Sequence, residues 1–356
     1  MKIALYSPYL DTAGGGEKYI LTIAEELSKK EQVDILLDKN LFKIGADLIK
    51  QKIFSLHGLD LSKTNFVTAP FGKGSSFLER FFFLKKYDWL FYLTDGSIFL
   101  STAKNSVLHF QVPFTKLENQ GIWEKIKLSS WNYIIFNSIF TKDIVEPSWS
   151  VRGRVIYPPV SVNLFKPLKK KNQIISVGRF FGYLKDKKHE LLIDTFKQLN
   201  LNNWRLCLVG GATDGDANYI YELKKRVGKS NVDIYPNASL ENLIKLYGES
   251  SIYWHAQGYG EEDPKKHEHF GITTVEAMAA GCVPIVINSG GQKEIIKNSF
   301  SGFLWNDVNE LKNLTLAITK DAALRKKISQ NAQKESKKFS KEKFVEHIKD
   351  IVYKTK

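Results

Sequence analysis

Cysteine is scarce in this sequence of 356 residues, which contains only Cys207 and Cys282. Two cysteines in a chain of this length exclude a disulfide scaffold, and both lie in apolar runs that suit small core residues. No stretch approaches the roughly 18 consecutive apolar residues of a membrane-spanning helix. Residues 1–8 turn polar too soon for a signal peptide. We therefore expect a cytoplasmic protein without a transmembrane anchor.

Acidic residues are outnumbered, with 38 against 52 basic ones and a formal net charge of +14. Such an excess suits an anionic partner, namely a nucleotide, a phospholipid surface or a nucleic acid, although a solvated lysine-rich surface explains it equally well. No nucleic-acid-binding module is present, so nucleic acid is not an expected partner. The apolar fraction of 43% is ample for one or two buried cores and excludes a disordered chain.

Short apolar runs alternate with helix-length segments, which predicts parallel sheets covered by helices. The chain opens with a predicted strand at Lys2–Ser7 and a helix at Glu17–Lys30, where apolar residues recur with helical spacing. The other predicted strands are Val33–Leu37, Trp89–Leu93, Val107–Gln111, Tyr133–Asn137, Gln173–Val177, Arg205–Val209, Ile252–His255 and Val283–Ile287.

A proline-rich stretch at 157–167 interrupts this alternation, and it denies both a helix and a central strand. We therefore predict two α/β domains with a ligand cleft between them, since open α/β sheets bind ligands at the carboxyl ends of their strands. The predicted boundaries are 1–157 for the N-terminal domain, 158–172 for the linker, 173–335 for the C-terminal domain and 336–356 for a helical tail.

Glycines follow the first predicted strand, in the run Gly14-Gly15-Gly16 before Glu17. Glycine lets a backbone approach a ligand closely, and the N-terminus of the following helix offers free N–H groups to a phosphate. The Gly-x-Gly-x-x-Gly spacing of dinucleotide-binding proteins is absent. The run is either a phosphate-facing turn or a merely flexible one.

Charged residues cluster at two places in the second half of the chain. Arg179 and Lys187 follow a predicted strand and could neutralise a diphosphate, although a solvated basic loop would look the same. Further on, the spacing of Thr273 and Glu276 predicts a capping box, which would explain Glu276 without any function. Residues 267–269, His-Glu-His, could ligate a metal, but adjacent loop residues seldom converge on one ion, so we expect no metal site.

Glu268 and Glu276 are separated by seven residues, and this stretch resembles the paired-glutamate motif of family 4 glycosyltransferases. The stretch that follows, from Ala277 to Pro284, is also typical of that family. Four further segments occur in the family's order, namely the glycine run at 14–16, Asn137–Thr141, Tyr157–Val160 and Val177–Phe180. The resemblance covers nearly the whole chain.

The resemblance implies a GT-B fold, with two Rossmann-like domains whose parallel sheets face each other across a cleft. It implies transfer of a hexose from a nucleotide-sugar with retention at the anomeric carbon, without metal or other cofactor. It also implies roles for individual residues. Arg179 and Lys187 would bind the diphosphate, Glu276 would bind the ribose, and the backbone of Phe270, Gly271, Ile272 and Thr273 would surround the phosphate and the sugar. His109 and Glu268 would be the catalytic residues at the transferred sugar, and Gly15 and Gly16 would close on the diphosphate from the other domain.

The motifs are most similar to those of mannosyltransferases that extend dolichol-linked oligosaccharides, which implies GDP-mannose as donor and a glycan or lipid-linked acceptor. A UDP-sugar-dependent transferase with a soluble acceptor, or a GT-B sugar-nucleotide epimerase, is the alternative. A dinucleotide oxidoreductase and a non-catalytic nucleotide-sugar-binding module remain further interpretations. The missing dinucleotide fingerprint argues against the first of these. The filled charged positions argue against the second.

The predicted helix at Ser75–Lys86 combines aromatic residues with three cations. Helical spacing places Phe77, Phe81 and Leu84 on one face, which could pack onto the first sheet. Alternatively, the wider aromatic surface rests on an anionic membrane and brings a lipid-linked acceptor to the site. In that case we expect a peripheral protein at the inner face of the membrane.

Overall fold

The computed structural model describes residues 1–12, 14–72, 74–116 and 121–354, which fold into two compact units. The first unit comprises Met1–Pro159 together with the chain from Glu342 onward, and the second comprises Val160–Lys341. The boundary near Pro159 lies at the proline-rich stretch. The segment from Val160 to residue 172, which the sequence suggested as linker, thus belongs to the second unit.

The first unit is a seven-stranded parallel sheet covered by helices, with strand order β3-β2-β1-β4-β5-β6-β7. Its central strands are buried on both faces, and for this reason they form continuous apolar runs. The strands are β1 Lys2–Tyr6, β2 Gln32–Leu37, β3 Asn65–Thr68, β4 Trp89–Leu93, β5 Asn105–Phe110, β6 Tyr133–Phe136 and β7 Arg154–Val155, and the helices are α1 Gly15–Leu27, α2 Lys39–Ile44, α3 Ala46–His57, α4 Phe77–Leu84, α5 Ile122–Ser129 and α6 Ile139–Trp149.

The second unit repeats this architecture with six parallel strands in the order β10-β9-β8-β11-β12-β13. Its strands are β8 Lys171–Val177, β9 Arg205–Gly210, β10 Val232–Pro236, β11 Ser250–His255, β12 Val283–Ile287 and β13 Phe303–Trp305, and its helices are α7 His189–Leu199, α8 Ala217–Val227, α9 Leu240–Glu249, α10 Ile272–Ala279, α11 Gln292–Ile295, α12 Val308–Lys320 and α13 Ala322–Ser336.

The last helix, α14 at Lys341–Lys349, runs on into a π-helical turn at Asp350–Lys354. Phe344, Ile348 and Ile351 lie in the apolar core of the first unit, and the Phe344 ring meets Tyr19 of α1 edge-on at 4.6 Å. The sequence suggested a separate tail at 336–356. The structure instead makes its last part a core element of the first unit, because its buried face is apolar.

Both sheets reverse their strand order beside their first strand, between β1 and β4 in one unit and between β8 and β11 in the other. Ligands of open α/β sheets bind outside the carboxyl ends of the strands at such a reversal. The predicted class of two Rossmann-like parallel α/β domains is therefore confirmed. No helix within the described ranges is long and apolar enough to cross a membrane.

Candidate active site

The glycine turn of the first unit is held by a buried carboxylate. Glu17 accepts hydrogen bonds from the Gly14 amide at 2.9 Å, the Thr12 hydroxyl at 3.0 Å and the Ser7 hydroxyl at 3.1 Å. Gly15 is exposed at the start of α1. This arrangement fixes the turn and presents the helix N-terminus beyond the end of β1, where an anion would be stabilised.

Gly16 packs closely on two side chains. A Cβ atom at this position would lie 2.9 Å from both Oε1 of Gln111 and a Cδ atom of Leu93, closer than a Cβ atom normally approaches another atom. The turn therefore packs directly on residues at the carboxyl ends of β4 and β5. A side chain here would displace the ends of the Gln111 and Leu93 side chains.

His109 lies near the end of β5 and is only 4% exposed. Its ring stacks on Tyr19 of α1 with 3.9 Å between centroids, and neither ring nitrogen has a hydrogen-bond partner in the described chain. Burial lowers the pKa of His109 to about 3, although the Ile135 backbone partly opposes this shift. The side chain is thus neutral and packed under α1, and its expected contact with the sugar stays a prediction.

Gln111 is a candidate that sequence reasoning missed. It directly follows β5, its Oε1 lies against Gly16, and its buried Nε2 atom has no hydrogen-bond partner among the described residues. Residues two apart in a strand project on the same side, so Gln111 lies one step beyond His109 toward the ligand-binding edge. The alternation of side chains along β5 is the sequence signal that could have identified Gln111.

In the second unit, Glu268 is joined to two basic side chains. Lys187 Nζ lies 2.9 Å and His255 Nε2 lies 3.1 Å from the same oxygen, Oε2 of Glu268. Burial raises the pKa of Glu268, but Lys187 and the His255 hydrogen bond outweigh burial and hold this pKa well below its usual range. Glu268 is therefore an anion at neutral pH. Lys187 also donates to the side-chain oxygen of Gln257.

The loop that carries Glu268 is braced by two glycines. The Gly291 amide donates to the carbonyl oxygen of Glu268 at 2.8 Å, and Gly290 adopts a positive φ of 59°. A Cβ atom on Gly290 would collide with that same carbonyl oxygen. These contacts fix the backbone at Glu268 from a segment more than 20 residues further along the chain.

Helix α10 begins at Ile272, and its N-cap is Gly271 with φ at 122°. The predicted capping box of Thr273 and Glu276 is therefore wrong, because Thr273 lies inside the helix. Its hydroxyl is 2.8 Å from the hydroxyl of Tyr253. Ile272 and Thr273 are half-buried in the first turn, whereas Phe270, just before the helix, is buried.

Glu276 has a different partner from the one that a capping box would supply. The Tyr247 hydroxyl lies 3.3 Å from Oε2 of Glu276 and 3.1 Å from the carbonyl oxygen of Thr273. The side chain of Glu276 is buried one turn into α10. Its carboxylate thus needs an explanation other than helix capping.

Arg179 and Lys187 both lie between β8 and α7. The exposed Arg179 guanidinium stacks 4.4 Å over the ring of Phe181. Lys187 is mostly buried, and its stem packs so closely on Gly178 that a Cβ atom there would come within 2.6 Å. The structure therefore holds Lys187 at the end of β8 and leaves Arg179 open to solvent.

The His-Glu-His stretch does not form a cluster. His267 Nε2 bonds to the Glu261 carbonyl, His269 Nε2 bonds to the Lys265 carbonyl, and Glu268 points to Lys187. Among the described residues, no group of three or more His, Cys, Asp or Glu side chains could hold a metal ion. A metal-independent reaction remains a prediction.

A family model described as "Glycosyl transferases group 1" matches residues 163–335, which lie in the second unit. The second unit is a glycosyltransferase group 1 domain. Glu268 and Glu276 both fall inside the matched range, so the resemblance to a glycosyltransferase is confirmed at the level of a group 1 domain.

Among curated proteins, the chain is similar to the GDP-Man:Man(3)GlcNAc(2)-PP-Dol alpha-1,2-mannosyltransferase of Dictyostelium discoideum. The two are 26% identical over 307 residues, which cover 74% of this chain and 59% of that protein. The mouse protein of the same name is 29% identical over 59% of this chain and 46% of its own length. The chain thus spans about half the length of these relatives.

Among solved structures, a glycosyltransferase from Rickettsia africae has a TM-score of 0.76 and 19% identity, with 99% of each chain covered. Anabaena HepE in complex with UDP has a TM-score of 0.74 and 18% identity over the same coverage. At this identity the likeness concerns the fold alone. It confirms that the two units have the Rossmann-like α/β fold of these glycosyltransferases.

Proposed function

We propose that the protein is a retaining mannosyltransferase that moves mannose from GDP-mannose to a lipid-linked glycan. The observation that carries this proposal is the anionic Glu268, held at the sheet reversal of the glycosyltransferase domain between Lys187 and His255. The relatives named for GDP-mannose and a dolichol-linked acceptor support the choice of substrates.

The proposed residue roles follow from the charges that the reaction creates. Breaking a glycosyl–diphosphate bond places negative charge on the phosphate and positive charge on the sugar. Arg179, Lys187 and the N–H groups at the start of α10 stabilise the phosphate, and Glu268 stabilises the sugar. The backbone from Phe270 to Thr273 lies beside both, and Glu276 holds the ribose.

The proposed stereochemistry is retention by attack on the same face as the leaving group. Retaining glycosidases use two carboxylates, one as nucleophile and one as acid and base. With Glu276 committed to the ribose, only Glu268 is left, so the donor phosphate accepts the acceptor's proton. NMR of the first-formed product measures the anomeric configuration, and an inverted product contradicts the proposal.

Donor identity is tested by thermal shift with GDP-mannose, GDP, UDP-glucose and UDP. A ligand at 100 times its dissociation constant adds about 2.7 kcal/mol of stability, so the correct pair gives a clear rise in melting temperature. We expect the guanosine ligands to stabilise and the uridine ligands to have little effect. The opposite ranking supports a UDP-sugar enzyme. Product formed without acceptor, with an altered sugar, identifies an epimerase.

Metal independence is tested with EDTA. Arg179 and Lys187 supply positive charge that a divalent ion would otherwise provide, so we expect mannose transfer to be unchanged by EDTA. Activity that is abolished by EDTA and restored by magnesium or manganese contradicts this part of the proposal.

We also propose that an apolar surface of the first unit rests on an anionic membrane. Helix α4 exposes Phe77, Leu78 and Phe82, the last at 67%, and only Leu84 of the predicted packing face is fully buried. Helix α5 exposes Trp123 at 69%. Isolated exposed apolar residues are normal, but several on one face mark an interaction site.

The two helices lie on either side of the segment 99–102. The Thr102 hydroxyl donates to the carbonyl oxygen of Phe81 in α4, and the Ser101 amide donates to Ser130 at the end of α5. The three cations of the Ser75–Lys86 stretch, Arg80, Lys85 and Lys86, accompany the apolar residues, and each basic residue near an anionic surface adds about 1 kcal/mol of attraction. The surface therefore combines apolar side chains that can insert into a membrane with basic side chains that are attracted to it.

Vesicle co-sedimentation tests this surface at low and high salt. We expect binding to phosphatidylglycerol vesicles that falls as salt rises, with little binding to phosphatidylcholine. The variant F77S/F82S should lose it. The control Phe300→Ser alters an exposed phenylalanine of the second unit and should retain binding. Equal absence of binding to both vesicles contradicts a membrane role and favours a soluble acceptor.

A further inference from the structure

The end of β11 provides one side chain to each member of the Lys187–Glu268 ion pair. His255 contacts the carboxylate of Glu268, and Gln257 accepts a hydrogen bond from the ammonium group of Lys187. Pairing of β11 with β8 and β12 fixes the strand, with His255 opposite Val286. The strand end therefore defines where both charged groups lie.

The contact defines the protonation of His255. An ionised carboxylate can only accept, so Nε2 of His255 donates to Glu268 at 3.1 Å. The ring is 3% exposed, and Nδ1 has no hydrogen-bond partner in the described chain. Burial lowers the pKa of His255, Lys187 adds to this shift, and Glu268 and Asp186 oppose it. His255 is thus a neutral donor with one defined tautomer.

Both partners of Glu268 act on one oxygen, but they differ in what else they can do. Lys187 carries a charge that, on the proposed function, also engages the donor diphosphate. His255 is enclosed in the sheet, and within the part of the chain that the structure describes Glu268 is the one hydrogen-bond partner given for Nε2. When Lys187 turns to phosphate, the His255 bond is the contact that still orients the carboxylate.

We propose that His255 is a positioning residue that holds Glu268 against the transferred sugar while Lys187 engages the diphosphate. This rests on the proposed function of the same site. In this proposal the two side chains at the end of β11 affect different quantities: His255 acts through Glu268 on turnover, and Gln257 acts through Lys187 on donor binding.

Three variants and one double-mutant cycle of His255 and Glu268 test this assignment. His255→Leu keeps the volume and removes the donor, and loss of a hydrogen bond to a charged group predicts a fall in kcat of about 10- to 100-fold with a smaller change in donor KM. His255→Gln retains an N–H group and should restore most of kcat. Gln257→Leu should chiefly raise the donor KM.

The same His255→Leu change in a Glu268→Gln background should have little further effect, because the residue acts only through Glu268. Equal losses in both backgrounds, or wild-type kcat in His255→Leu, overturn the proposal. If His255→Leu fails to fold, His255→Phe, which keeps an aromatic ring but has no donor, provides the cycle alone and in the Glu268→Gln background.

A measurement without turnover separates this proposal from the proposed function. The ¹⁵N shifts of His255 in the wild-type protein should show the Nε2–H tautomer and should change in Glu268→Gln. If the shifts show neither the Nε2–H tautomer nor a change in Glu268→Gln, the contact between His255 and Glu268 is ruled out. Absence of any sugar transfer by the wild type, with the expected shifts present, contradicts the proposed function and leaves the contact established.

Discussion

The two units of this protein share one architecture but differ in how polar residues are arranged at their sheet reversals. In the second unit Glu268 is linked to Lys187 and His255 at the carboxyl end of the sheet. In the first unit the charged group that holds the glycine turn, Glu17, is directed inward, and His109 lies against Tyr19. The comparison shows a buried ion pair at the sheet reversal of the second unit and close packing at that of the first.

The comparison predicts its largest effect at Glu268. Glu268→Gln keeps the size of the side chain but removes the charge that balances the sugar, so we expect kcat to fall about 100- to 1000-fold. Initial rates at saturating donor measure this, and thermal unfolding shows whether the fold is retained. Full turnover in this variant would rule out the proposed site.

The next effect is expected at Glu276, the other glutamate of the same unit. A ribose contact is present in both ground and transition states, so Glu276→Gln should raise donor KM about tenfold or more and leave kcat nearly unchanged. Tyr247→Phe, which removes the neighbouring hydroxyl, is the matched control and should have a smaller effect in the same direction. A fall in kcat at constant KM contradicts the ribose assignment.

A smaller effect is expected at His109 and Gln111 in the first unit. The family resemblance implies that His109 contacts the transferred sugar, so we expect His109→Phe to lower kcat about tenfold or more, and Gln111→Ala to lower it about tenfold through a lost hydrogen bond to the substrate. Steady-state rates of both variants, with melting temperatures, measure these effects. A kcat of His109→Phe within about twofold of the wild-type value would show that the ring only packs on Tyr19.

The smallest effect concerns pH, because each unit buries a neutral histidine on an aromatic ring. His189 stacks on Phe180, and burial lowers its pKa to about 3, as for His109. The unfolded chain binds a proton near pH 6.5 and the folded chain does not. Stability is therefore complete above that pH and falls as pH drops toward 3, by about 2 kcal/mol per histidine at pH 5.

Urea unfolding at pH 7 and pH 5 measures this loss. His109→Phe and His189→Phe should each remove about one proton from the slope between those pH values, one in each unit. An unchanged slope in either variant would show that the corresponding ring is already protonated in the folded chain.

Sequence reasoning predicted the interior strands and missed the edges. The predicted strands at Trp89–Leu93 and Val283–Ile287 match β4 and β12 residue for residue, because both are buried on both faces. The four missed strands are β3, β7, β10 and β13, and each lies at an edge of its sheet. Edge strands are covered less completely and form no long apolar run, so periodicity alone does not show them.

Some residues of the candidate site were also predicted from the sequence, and others were missed. Lys187 and Glu268 were predicted, and the structure brings them together, although the sequence separates them by 81 residues. His255 and Tyr247 were missed, since a histidine ending an apolar strand and a tyrosine on a helix look like core residues. The contact of His255 with Glu268 depends on which strand lies beside β8, and that neighbour is set by sheet order, which no local pattern contains.

The position of α14 has a consequence for synthesis on the ribosome. Phe344, Ile348 and Ile351 are part of the core of the first unit, yet they are translated after the whole of the second unit. Domains generally fold as units in the order in which they emerge. Here the N-terminal unit must wait with an incomplete core, so the glycosyltransferase domain is the first that can finish folding during translation.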